Sequence, residues 1–112
     1  MLSVEQKEAL QVLADVYLLN ATQCAKAVIL LEALHSLDQR DAGVAKALSY
    51  AYLLCGRPED ALKMSDVFLR LAGSSPDSNP ILLIRSKALW ALGRTEEART
   101  TMNRYIELGG AA

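Results

Sequence analysis

Two short stretches of this chain lie over each other, and their shared pattern is what most restricts its fold. Leu53-Leu54-Cys55-Gly56-Arg57-Pro58-Glu59-Asp60-Ala61 and Trp90-Ala91-Leu92-Gly93-Arg94-Thr95-Glu96-Glu97-Ala98 have the same layout. Each reads as an apolar helix end, a glycine, an arginine, a first turn with two acids, and then an alanine. The glycine suits the left-handed position just past a helix C-terminus, and the acids complement the dipole of the helix that follows. So short a turn folds two helices back on each other. One period before Ala61 stands Ala27, inside Cys24-Ala25-Lys26-Ala27-Val28-Ile29-Leu30-Leu31, and Ala98 follows Ala61 at a slightly longer interval. The extra length fits the turn-rich segment Gly73 to Asn79.

Start and stop signals divide the chain into six helices. Ser3-Val4-Glu5-Gln6 has the spacing of a capping box and opens a helix to about Leu19. The next spans about Thr22 to Leu37, and a third spans Asp41 to Leu54. Pro58 sits in the first turn of a fourth that ends near Gly73. Asn79-Pro80 starts a fifth that ends at Gly93, and the last runs from Thr95 to Leu108. No alternating strand pattern of useful length interrupts them. The expectation is an all-α single domain over 1–112, with repeats at about 8–41, 42–78 and 79–112.

A helix-turn-helix period of about 34 residues is the tetratricopeptide spacing. The resemblance is carried by specific positions. The small residue of the first helix is Asp15, Ser49 and Ser86 in the three units, and the turn glycine is Thr22, Gly56 and Gly93. The alanine of the second helix is Ala27, Ala61 and Ala98, followed one helical turn on by Leu31, Ser65 and Met102. Asp15 and Thr22 make the first unit the most divergent, and the closing proline of the motif is absent throughout. The fold expected is three stacked helix pairs forming an α-α superhelix.

In such a stack the first helix of each pair lines the concave face. Carried over by position, the groove takes Ala9, Val12, Val16 and Leu19 from the first unit. The second supplies Gly43, Lys46, Tyr50 and Leu53, and the third Pro80, Leu83, Lys87 and Trp90. The opposite face, with Leu13, Leu48, Tyr52 and Leu82, is expected to meet the second helices as core. A mostly apolar strip suits a partner's amphipathic helix, which presents side chains three and four apart. Ala9 and Gly43 leave room for close approach. Tyr50 and Trp90 either anchor the ligand or pack between neighbouring repeats, and Lys46 and Lys87 either meet acids on a ligand or are simply solvated.

Composition agrees with a binding role. The chain is 52% hydrophobic but only 5% aromatic and 22% charged, which is a large apolar share for 112 residues to bury alone. Folding at this size removes roughly 60% or slightly more of the unfolded surface from water, so part of the apolar excess is expected to line a groove or interface. Twelve bases and thirteen acids are scattered along the chain with a net charge of −1. Without a run of like charge, neither nucleic acid nor anionic lipid is an expected partner. The first residues lack the pattern of a signal peptide. The longest uncharged stretches, Val16 to Ala25 and Ala47 to Gly56, are too short to span a bilayer.

Catalytic and metal chemistry find no support. His35 is the only histidine, with no cysteine or carboxylate at ligand spacing. Cys24 and Cys55 have no metal-type spacing and no neighbouring base, and are expected as buried free thiols in a reducing compartment. Glu59-Asp60 and Glu96-Glu97 occupy the same helix start, where the dipole accounts for them. No cofactor is expected.

Three stretches carry a narrower resemblance: Ala27-Val28-Ile29-Leu30-Leu31-Glu32-Ala33-Leu34, Ile81-Leu82-Leu83-Ile84-Arg85-Ser86-Lys87-Ala88-Leu89, and Ala98-Arg99 through Tyr105-Ile106-Glu107-Leu108. They resemble the YscY-type tetratricopeptide chaperones of bacterial type III secretion, over about Glu8 to Leu108. The resemblance implies a bacterial cytoplasmic chaperone that binds and stabilises a YscX-type secreted export component through the groove, the pair then engaging the cytosolic part of the export gate. Alternatives are a chaperone for a needle or translocator subunit, or a general repeat adaptor that recognises a peptide carboxylate.

Overall fold

A computed structural model describes residues 3–18, 23–73 and 79–108, and these form six helices. They are α1 (Val4–Leu18), α2 (Cys24–Leu37), α3 (Ala42–Leu54), α4 (Pro58–Ala72), α5 (Asn79–Ala91) and α6 (Thr95–Glu107). The protein is all-helical. Consecutive helices pack on each other, and the odd-numbered helices also touch their neighbours, α1 against α3 and α3 against α5. That is the arrangement of stacked helix pairs. Thr22 and Leu19, named above as a turn position and a helix end, lie outside the described residues.

The sequence signals act locally as chemistry predicts. Ser3 Oγ accepts from the Gln6 amide at 3.1 Å while Gln6 Oε1 accepts from the Ser3 amide at 2.9 Å, a reciprocal capping box. Asp41 caps α3 by accepting from the Val44 amide. Gly56 and Gly93 both take positive φ, 74° and 78°. At the first turn the Arg57 amide donates to the Tyr52 carbonyl and the Gly56 amide to that of Leu53; at the second, Arg94 donates to Leu89 and Gly93 to Trp90. Two Schellman closures of one design therefore set both reversals. In each, the arginine pairs with an acid one turn on, Arg57 with Asp60 and Arg94 with Glu97.

The alanines of the second helices are where the pairs close. Ala27 and Ala61 are fully buried and Ala98 is 2% exposed. Ser49 Oγ donates to the Ala61 carbonyl at 2.7 Å and Ser86 Oγ to the Ala98 carbonyl at 3.1 Å, the same bond twice. A hydroxyl buried between helices thus finds an acceptor in the partner backbone. The core runs continuously through the stack. One cluster gathers Ala14, Leu31, Leu34, Leu48 and Tyr52, a second Phe68, Ile81, Leu82 and Ile84, and Leu53 and Met64 pack against both. Leu48, Tyr52 and Leu82 are buried as expected; Leu13's side chain lies outside the described set.

The thiols differ from expectation. Cys24 and Cys55 are joined in a disulfide, with Cα atoms 5.6 Å apart. Cys24 opens α2 and Cys55 closes α3, and antiparallel packing of these helices brings the start of one beside the end of the other. That proximity is invisible in a linear sequence. The expectation of a reducing compartment rested partly on free thiols and loses that support.

Candidate functional site

The candidate groove positions divide into three groups. Gly43 and Lys46 line a cavity of about 500 Å³ between α1 and α3, together with Val4, Lys7 and Gln11. Lys87 and Trp90 line a different cavity, of about 690 Å³, shared with α6. Leu53 faces neither. It is half-buried and sits between the two core clusters, so the expectation that it stands on the ligand face is corrected. Residues 53 and 90 are equivalent by position, and Leu53 has the cluster of the following pair packed against it.

Of the expected groove residues, Ala9, Pro80 and Lys87 are exposed, Val12 is 61% exposed and Leu83 is half-buried. The side chain of Val16, and Leu19 altogether, lie outside the described residues. Tyr50 is 43% exposed and Trp90 63%. Neither packs in the core.

The α1–α3 groove is more charged at one end than the sequence suggested. Lys7 Nζ lies 3.1 Å from Asp38 Oδ2 and 3.6 Å from Asp41 Oδ2. The hydrogen bond from Lys7, joined by the Arg40 backbone amide, holds the Asp38 carboxyl below its usual range, and Asp38 in turn raises Lys7. Lys7 escaped notice because both its partners lie beyond the far end of α2, on a loop that only the helix pairing brings near. Inside the stack, Tyr52 donates to Glu32 Oε2 at 2.6 Å, and burial, helped by that carboxylate, pushes its phenol up to about 12.

Arg85 is the other residue the sequence did not single out. Its guanidinium donates to Ser65 Oγ at 2.6 Å and to Asp66. Ser65 stands where the repeat pattern places a large side chain, and the volume it leaves is used by Arg85 arriving from α5. A small residue at a large position, with an unassigned arginine in the next repeat, was the available signal. Among the described residues no group of three His, Cys, Asp or Glu stands close enough to hold a metal ion, and no helix is long and apolar enough to cross a membrane.

A stack of helix pairs with repeated glycine turns defines a helical-repeat protein. Residues 81–104 match the family model described as tetratricopeptide repeat. That span lies within the α5–α6 pair and contains the Ser86–Ala98 bond and the Gly93 turn. No curated protein matches the chain.

Proposed function

We propose that the chain is a non-catalytic binding protein that holds an amphipathic helical segment of another protein along its odd-numbered helices. The observations that carry this are the outward apolar groups Val12 of α1 and Tyr50 of α3, both 43% or more exposed, on the two helices that line the groove at Gly43. Aromatic groups held at a rigid helix surface are the usual anchors of such contacts, and tetratricopeptide repeats serve as protein-binding modules. The resemblance of residues 27–34, 81–89 and 98–108 to YscY-type chaperones supports a finer reading. The partner is then a YscX-type secreted export component, stabilised in the bacterial cytoplasm and delivered to the export gate.

Co-expression with a YscX-type protein tests both levels. The expected result is a stable heterodimer that melts higher than the chain alone, since a ligand at a hundred times its Kd adds about 2.7 kcal/mol. Lys46→Glu with Tyr50→Ala should weaken the complex and leave helical circular dichroism unchanged, because both side chains lie outside the core. If the chain is monomeric and soluble alone and gains no thermal stability with that partner, the chaperone reading fails. Mass spectrometry of proteins captured from a secretion-competent lysate then identifies the segment held instead.

A further inference from the structure

Two acids that are engaged elsewhere set the charge of the surface between the loop after α2 and the end of α4. Asp38 is held by Lys7 at 3.1 Å and accepts from the Arg40 backbone amide, so its bonds do not reach the Arg40 guanidinium. Asp66, one turn before Arg70 on α4, is taken by Arg85 from α5. Arg40 and Arg70 are left in no ion pair among the described residues. Both line one cavity of about 360 Å³, with His35 and Gln39 beside them and Val67 and Leu71 of α4 as its apolar wall. No acid is among its described lining residues. His35 Nδ1 is buried with no hydrogen-bond partner among the described residues, which is uncommon for a buried nitrogen. The C-terminal ends of α2 and α4 each contribute about half a negative charge. Two guanidiniums outweigh that sum, so the cavity stays positive.

We propose that this cavity is a seat for a short acidic segment of a partner protein, with an aspartate or glutamate carboxylate on Arg40 and Arg70 and the apolar side chain next to it on Val67 and Leu71. Planar guanidiniums match a carboxylate through parallel N–H bonds, which gives arginine its advantage over lysine at such a site. His35 adds an imidazole N–H at the same wall. The apolar wall then selects among anions. Val67 is half-buried and Leu71 is 38% exposed. A bare phosphate leaves both in water, whereas an acidic residue with an apolar neighbour covers them. The volume lies near the lower end for ligand sites, enough for a few side chains. Gln39 and Arg40 line this cavity and Asp41 lines the α1–α3 groove, so the two sites flank one loop. The seat is assigned from its own charges and does not rest on the reading given to the groove.

The probe is a short peptide of alternating glutamate and leucine, labelled with a neutral dye and followed by fluorescence anisotropy beside its glutamine counterpart and inorganic phosphate. The glutamate peptide is expected to bind about tenfold more tightly than either, with an advantage that shrinks as salt is added. Arg40→Ala and Arg70→Ala should each weaken it about tenfold, with helical circular dichroism unchanged because both side chains are exposed. Arg104→Ala removes the same charge from α6 and should leave the affinity as it was. Leu71→Ala should weaken the peptide and not the phosphate. Equal binding of the glutamine peptide, or an equal loss in Arg104→Ala, would reduce the effect to general attraction and overturn the proposal. Phosphate that binds as tightly as the peptide would overturn it too, because the apolar wall would then select nothing. Asp77, in the segment after α4, lies outside the described residues. If the peptide binds only after Asp77→Asn, the chain's own acid fills the seat and the proposal is wrong. If Lys46→Glu with Tyr50→Ala loses the peptide while Arg40→Ala and Arg70→Ala keep it, the ligand sits in the groove: this seat is then wrong and the groove reading stands.

Discussion

The first helix pair and the two that follow reach the same architecture by different chemistry. In the second and third pairs a glycine at positive φ, a Schellman closure and a buried serine-to-backbone bond fold each pair on itself. The first pair has Thr22 and Asp15 at those positions. Among the described residues, the bonds that tie it down run outward instead: Lys7 reaches Asp38 and Asp41 beyond the end of α2, and Cys24 is joined to Cys55 at the end of α3. Two pairs are thus closed by glycine turns and serine bonds of their own, and the described bonds of the first reach the loop after α2 and the end of α3. A repeat array is stabilised by internal and interface terms together, and here their weights differ along the chain.

The sharpest break of this comparison is Ala61→Arg. Ala61 has no exposure, and its carbonyl accepts from Ser49 across the pair, so a long cation there should cost more than about 4 kcal/mol and remove the cooperative melt. Ala98→Arg, at the equivalent position, should cost about 1–2 kcal/mol, because its side chain can run out through the open cavity lined by Met102. Equal losses in the two thermal melts would show that the third pair is closed like the second.

Reduction of the disulfide tests the attachment of the first pair. Cys24 and Cys55 are 31 residues apart, and a closed loop of that length stabilises by about 3–4 kcal/mol. With reductant, or in Cys24→Ser, hydrogen exchange should accelerate in α1 and α2 well before α5 and α6. Uniform acceleration through all six helices would remove the distinction between the pairs.

Tyr52 gives the most specific effect. Its phenol titrates near 10 when unfolded and at about 12 in the native stack. A group raised by folding contributes its stability fully below the unfolded value and loses it as the pH climbs toward the folded one. Stability should therefore fall between pH 10 and 12, by about 2 kcal/mol, and Tyr52→Phe should flatten that decline. An unchanged alkaline profile in Tyr52→Phe would mean that the Glu32 contact does not couple α2 to α3.

Much of the fold was legible in the residues. The six helices, their caps, the two glycine turns and the close-approach alanines follow from signals that act within a turn or two of the chain. That is the range over which backbone hydrogen bonding and side-chain capping decide conformation. The groove was legible only as a face. Gly43 and Lys46 line it, but Leu53, close to Lys46 in helical phase, is drawn against the core clusters. Trp90 is left in the open because the described structure places no pair after its own.

Taken alone, the residues settle an all-helical chain with repeated turns and more apolar side chain than its own core absorbs. How that apolar share divides between stacking and a partner came from the packing of the pairs. So did the meeting of Cys24 with Cys55, of Lys7 with Asp38 and of Arg85 with Ser65. Each of these depends on where one helix pair ends against the next, a distance set by contacts between elements rather than by the local preferences of any residue.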